Sequence, residues 1–203
     1  IGAGIEHLLP LDWLPEGCVL TNNRGAHAPK TCEYAMMALL MLANHMPRLA
    51  CAQQKRKWDA HFVSVIRGSK AAILGAGKQG SAVALAAKRL GLDTVGVDID
   101  PSPRENFDEI LPPSRLNEAL GSADYVVVTL PSTKDTYRFI GEKEFAAMKE
   151  GAGFINISRG RIVDSEALIA SLKSGHLSGA VLDVFEQEPL PVESPLWSAP
   201  NLT

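Results

Sequence analysis

The sequence is short of the residue types that mark specialised chemistry at a glance. Cysteine occurs only three times in 203 residues, at Cys18, Cys32 and Cys51. An odd and widely spaced set excludes a disulfide framework and a Cys-x-x-Cys metal site, and is the usage of a reducing compartment. No apolar run approaches the ~20 residues of a membrane-spanning helix. No basic-then-apolar leader is present either, so a cytoplasmic location is expected. Neither sign of charge dominates: 20 Lys and Arg stand against 23 Asp and Glu, for a net charge of -3. That balance excludes the electrostatic footprint of a nucleic-acid or anionic-membrane binder. The five histidines are scattered without ligand spacing, so no metal site is expected. What is present, 46% apolar and 21% charged residues, is the composition of a globular domain.

The pattern along the chain changes near residue 30. Residues 1–30 hold one candidate strand, "CVLTNN", between turn-rich pieces, and read as the tail of another domain. Residues 31–46 read as one apolar connecting helix ending near Pro47, with Met36, Met37, Met41 and Met46 along it. Beyond it, β-rich runs ("AAIL", "DTVGVD", "DYVVVTL", "AGFINIS", "GAVLDVF") alternate with helix-like stretches. Strands apolar on both faces, separated by helices, indicate a doubly wound α/β domain with a parallel sheet. Ser165 or Asp164 is placed to cap the helix "EALIASLKSG", and Gly175 to end it. The chain starts at Ile1, and its last residues, "APNLT", stop as a new apolar segment begins. Both features lead to the expectation that these residues are an excerpt of a longer protein.

The stretch "AAILGAGKQGSAVALAAKRLGLDTVGVDID" contains one Gly-x-Gly-x-x-Gly. Alone such a triplet is weak, but here it follows a strand and opens a helix. Gly75 permits the tight turn, Gly77 lets backbone approach a pyrophosphate, and Gly80 allows close helix–strand packing. Lys78 and Gln79 supply part of the rim at the helix N-terminus, where free N–H groups favour an anion. Asp98 ends the next strand, 18 residues after Gly80. A carboxylate there accepts the adenosine ribose hydroxyls and repels a 2′-phosphate, which predicts NAD over NADP. Arg104, six residues further on, complicates that preference.

Two later stretches place Arg159 just after one strand and Glu188 just after the next. In an open parallel sheet, ligands sit outside the carboxyl ends of the strands. The glycine loop, Arg159 and Glu188 are therefore expected at one edge, where an arginine can clamp a carboxylate with two parallel hydrogen bonds.

The segments "GAGIEHL", "TCEYAMMALLMLANHMPR", "VVVTLPSTKDT", "NISRGRIVDSEALIASLKSG" and "LDVFEQEPLPVESPLW" together resemble the D-isomer-specific 2-hydroxyacid dehydrogenases. "ESPLW" is similar to the glyoxylate/hydroxypyruvate reductase branch. The resemblance spans the whole chain and implies a Rossmann-type NAD-binding domain with a fragment of a second α/β domain. It implies NAD-dependent hydride transfer at C2 of a small D-2-hydroxy or 2-oxo acid. Arg159 would hold the substrate carboxylate and polarise the carbonyl, and Glu188 would keep a catalytic histidine protonated. Asp183 would contact the nicotinamide carboxamide. Leu130, Pro131, Thr136, Ile157 and Ser158 would line the cofactor cleft. Backbone at Ala3 and Gly4 would bind the substrate carboxylate.

The same resemblance puts the catalytic histidine just after a Pro-Asn motif, beyond Thr203. None of His7, His27, His45, His61 or His176 holds that position, so residues 1–203 alone are expected to bind cofactor without turnover. It also implies a homodimer formed through the methionine-rich helix and "QQKRKWDAHFVSVIRG". A non-catalytic dinucleotide-sensing module of the corepressor type is the competing reading. A dinucleotide enzyme of another family leaves "NISRGR" and "LDVFEQEP" unexplained.

Overall fold

The computed structural model describes Gly4, Leu8, residues 10–23 and residues 25–203. The expected contact at Ala3 lies outside the described residues. Six strands form one all-parallel sheet: β1 (Lys70–Leu74), β2 (Asp93–Val97), β3 (Glu109–Leu111), β4 (Tyr125–Val128), β5 (Ala152–Asn156) and β6 (Leu177–Leu182). Their spatial order is β3-β2-β1-β4-β5-β6. The chain moves outward from β1 on one side, then returns to pair β4 on the other, which creates a crevice at the carboxyl ends of β1 and β4.

Alternate strand residues feed two cores. Ala72, Leu74, Val126, Val128 and Phe154 face one cluster, which α4 (Leu116–Ser122), α5 (Glu142–Ala147) and α6 (Ser165–Ser174) cover. Ala71, Ile73, Val127, Ile155 and Val181 face the other, covered by α1 (Ala28–Ala43) and α3 (Lys78–Arg89). A sheet covered on both faces explains why its strands read as unbroken apolar runs. Asp164, not Ser165, caps α6, accepting from the amides of Glu166 and Ala167, and Gly175 ends it at φ 79°.

Three expectations are corrected. The helix expected over residues 31–46 is two helices. Pro29, in the first turn of α1, starts it earlier, because a proline there lacks only an N–H that would be unpaired anyway. His45 then takes the left-handed conformation, at φ 49°, and breaks the run before α2 (Met46–Gln54), which Pro47 helps to restart. The segment "CVLTNN" is not a strand: among the described residues no neighbouring strand meets it. The α/β domain is expected to hold five strands and holds six, since "EIL" at β3 pairs with β2 at the sheet edge.

No described helix is long and apolar enough to cross a membrane. Among the described residues, no group of three or more His, Cys, Asp or Glu is placed to hold a metal ion.

Candidate cofactor and active site

The loops after β1, β2, β4 and β5 meet at the carboxyl edge of the sheet, around a cleft of about 670 Å³. This is an ordinary size for a small-molecule or cofactor site. Gly77, Lys78, Gln79, Pro131 and Arg159 all line it, and Gly4 reaches it from the first segment.

The glycine loop has the build that a dinucleotide needs. Gly75 sits at φ 97°, where an L side chain is strained. A Cβ on Gly80 would overlap the Gly75 carbonyl oxygen, so only glycine lets α3 start this close to β1. A Cβ on Gly77 would meet no protein atom within 4 Å. Gly77 is the N-cap of α3 and offers no side-chain cap, so the first amides of the helix stay available to an anion. The geometry therefore fits a pyrophosphate-bearing cofactor.

Asp98 is wired to this loop. Its Oδ2 accepts the Ala76 amide at 2.7 Å and its Oδ1 accepts the Asp100 amide at 3.0 Å. Each carboxylate oxygen has a second lone pair, which leaves acceptor capacity for ribose hydroxyls. Arg104 donates to the Asp100 carbonyl at 2.9 Å and its carboxylate at 3.0 Å, and stands 3.9 Å from Asp98 Oδ1. Arg104 also lines the cleft.

Other expected residues sit nearby but act through the loops. Thr136 Oγ1 donates to the Pro131 carbonyl at 2.6 Å and accepts the Thr133 amide at 2.8 Å, bracing the turn that carries Pro131. Leu130 packs against one core and Ile157 against the other. Ser158 is buried, and its hydroxyl donates to Asn156 at 2.7 Å. Arg159 Nη1 donates to the Ser158 carbonyl at 2.7 Å.

Glu188 and Asp183 occupy the exposed loop after β6, outside the lining of the cleft. Glu188 Oε1 accepts the Phe185 amide at 2.9 Å, which fixes the head of that loop. A Cβ on Gly160 would overlap the Phe185–Glu186 backbone, so the turn after Arg159 and the Glu188 loop lie in direct contact. The Glu188–Pro189 peptide is cis.

Several site residues carry no motif that sequence reading could use. Thr129 Oγ1 donates to the Gly75 carbonyl at 2.8 Å and steadies the glycine turn from the adjacent strand. His27, the N-cap of α1, lines the cleft. Tyr34 on α1 faces Asp183: burial raises its phenol above the ordinary value, and the charge and hydrogen bonding of Asp183 add to that. A tyrosine on an apolar helix gives no signal of such a partner.

Among known proteins, the model for the NAD-binding domain of D-isomer-specific 2-hydroxyacid dehydrogenases matches residues 36–203. A glyoxylate reductase from Korarchaeum cryptofilum is 34% identical over 197 residues, covering 92% of this chain and 58% of that protein. A glyoxylate/hydroxypyruvate reductase B from Citrobacter koseri is 54% identical over 87 residues, 43% of this chain and 27% of that one. A D-isomer-specific 2-hydroxyacid dehydrogenase from Xanthobacter autotrophicus, solved with NADPH and MES, superposes with a TM-score of 0.89 at 34% identity. That match covers 99% of this chain and 64% of the other, so the chain spans less than two thirds of the length of these relatives. Motif, sheet order and family model agree: the chain belongs to the D-isomer-specific 2-hydroxyacid dehydrogenase family.

Proposed function

We propose that this chain is the cofactor-binding part of an oxidoreductase that moves a hydride between NAD and C2 of a small D-2-hydroxy or 2-oxo acid. The observation that carries this reading is the sharing of one cleft by Arg159 and the glycine-loop residues Gly77, Lys78 and Gln79. A bound nicotinamide dinucleotide supplies the hydride. In the reducing direction, charge develops on the C2 oxygen as the carbonyl bond opens, and a cation and a proton must meet it. Arg159 holds the carboxylate and draws on the carbonyl oxygen. Glu188, fixed by the Phe185 amide, pairs with a histidine and keeps it protonated to higher pH. Of the described histidines, His45 stacks on His61 and His176 Nε2 meets the Phe145 carbonyl at 2.9 Å, whereas His27 lines the cleft. The proton donor in this reading lies in the part of the relatives' length that this chain does not span.

Asp98 favours NAD, and Arg104 beside it narrows the margin. The resemblance of "ESPLW" to the reductase branch and the identity to a glyoxylate/hydroxypyruvate reductase over 87 residues support a two- or three-carbon 2-oxo acid as substrate. Trp58, Phe62 and Val65 are 92%, 98% and 81% exposed on the segment after α2, with Met37 and Leu40 exposed on α1. Such a patch supports a homodimer joined through this face. Light scattering on the protein and its Phe62→Ala variant tests that, with a monomeric wild type as the contrary result.

The decisive assay follows NADH absorbance at full length with glyoxylate, hydroxypyruvate, pyruvate and 2-oxoglutarate, repeated with NADPH. Rapid oxidation with one small 2-oxo acid and a preference for NADH supports the reading. A preference for NADPH overturns the Asp98 argument, and tight NADH binding without turnover overturns the enzymatic one.

A further inference from the structure

Asn156 ends β5 and is only 1% exposed. Its neighbours along the strand, Phe154 and Ile155, are fully buried apolar residues. Placing an amide there costs free energy unless its hydrogen bonds are made. Three of them are made within the turn that follows. Oδ1 accepts the Ser158 amide at 3.1 Å and the Ser158 hydroxyl at 2.7 Å. Nδ2 donates to the Arg159 carbonyl at 3.1 Å. The Asn156 carbonyl accepts the Asp183 amide at 3.0 Å.

One side chain thus grips the backbone on both sides of the Ser158–Arg159 peptide. The guanidinium of Arg159 leans on the same unit, through its bond to the Ser158 carbonyl. The next residue, Gly160, is seated against the loop that bears Glu188. Rotation of the Arg159 backbone away from the cleft would break the Nδ2 contact.

We infer that Asn156 is a positioning residue for Arg159: its amide fixes the turn from which Arg159 reaches the substrate carboxylate. This rests on the reading of Arg159 as the carboxylate clamp. Aspartate has the same shape but no Nδ2 donor, so Asn156→Asp keeps the grip on Ser158 and sets two acceptors, Oδ2 and the Arg159 carbonyl, against each other. Serine at 156 is too short to make either contact.

The test is a double-mutant cycle in the full-length protein, with oxamate as an unreactive isostere of a small 2-oxo acid. Oxamate affinity is measured with NADH bound, for wild type, Asn156→Asp, Asn156→Ser, Arg159→Ala and the two doubles. NADH affinity and melting temperature are followed in parallel. A 1 Å displacement at such a site is enough for a change on the order of 100-fold, so Asn156→Asp is expected to weaken oxamate by about 10- to 100-fold. NADH affinity should change by less than about threefold, and in the Arg159→Ala background the same substitution should change oxamate affinity by less than about threefold. Equal losses in both backgrounds, or a parallel loss of NADH affinity, overturn the inference and leave Arg159 as the clamp. If Arg159→Ala leaves oxamate affinity unchanged, the clamp reading falls and this inference with it. Should Asn156→Asp fail to fold, Asn156→Ser carries the same comparison without a buried charge.

Discussion

The amide of Ala76 donates to the carboxylate of Asp98 across 2.7 Å, joining the turn after β1 to the end of β2. The acid proposed to face the ribose therefore also holds the glycine turn in place. Asp98→Ser should weaken NADH by about 10- to 100-fold, since a hydrogen bond to a charged group contributes ~1.5–3 kcal/mol. It should weaken NADPH less, because repulsion of a 2′-phosphate is removed. Fluorescence titration with both cofactors checks this, and equal losses for the two would place the effect in the turn alone.

Gly77 and Gly80 should separate when each becomes alanine. At Gly80 the new methyl meets the Gly75 carbonyl, and overpacking of this kind typically costs ~1–3 kcal/mol. At Gly77 it meets no protein atom within 4 Å. Gly80→Ala should lower the melting temperature, whereas Gly77→Ala should melt normally and lose cofactor affinity. Normal melting of both would contradict the close approach of α3 to β1.

Asp164 accepts two amides at the start of α6, at 3.0 and 3.2 Å. Asp164→Ala should destabilise the fold by about 0.5–2 kcal/mol, the usual range for loss of an N-cap. Denaturant unfolding measures it. NADH affinity should not change, because α6 lies away from the glycine loop.

The joint between α1 and the exposed segment after α2 should respond to acid. His45 stacks edge-on against His61 with ring centroids 4.6 Å apart, beside the ion pair of Arg48 with Asp59 at 2.7 Å. Burial holds the His45 imidazole below its ordinary value of 6.5, with His61 and Arg48 adding repulsion. A histidine lowered in this way binds fewer protons folded than unfolded. Its contribution to stability is whole above pH 6.5 and is lost as pH falls from there through the folded value. Melting temperature followed downward from pH 7 should fall less steeply for His45→Asn, which tolerates the left-handed backbone. Parallel curves for the two proteins would sink this prediction.

The doubly wound sheet was legible because its strands are apolar on both faces, as in "YVVV" at β4. β3 was not, because three residues at an edge carry no period and follow a turn. The connecting helix reads as one piece in the sequence because its apolar residues run on past Asn44, while the break at His45 is a backbone event with no sequence signal of its own. At the site, the glycine loop and Asp98 could be read from spacing. The grip of Asn156 on Arg159 and the facing of Tyr34 to Asp183 could not, since each joins residues through loop geometry that no periodicity encodes.

The strand order also governs how the chain must assemble. β1, β2 and β3 pair among themselves, so this half can form as soon as residue 111 is available. The other edge of β1 then waits for β4, which begins only at Tyr125. At a synthesis rate of about 5–20 residues per second, the central strand of the finished sheet spends an interval of order a second as an open edge. An open, apolar edge is a template for pairing with the wrong chain. The crevice between β1 and β4 is thus, during synthesis, a seam that stays open until β4 is made, and a place exposed to misassembly while it waits.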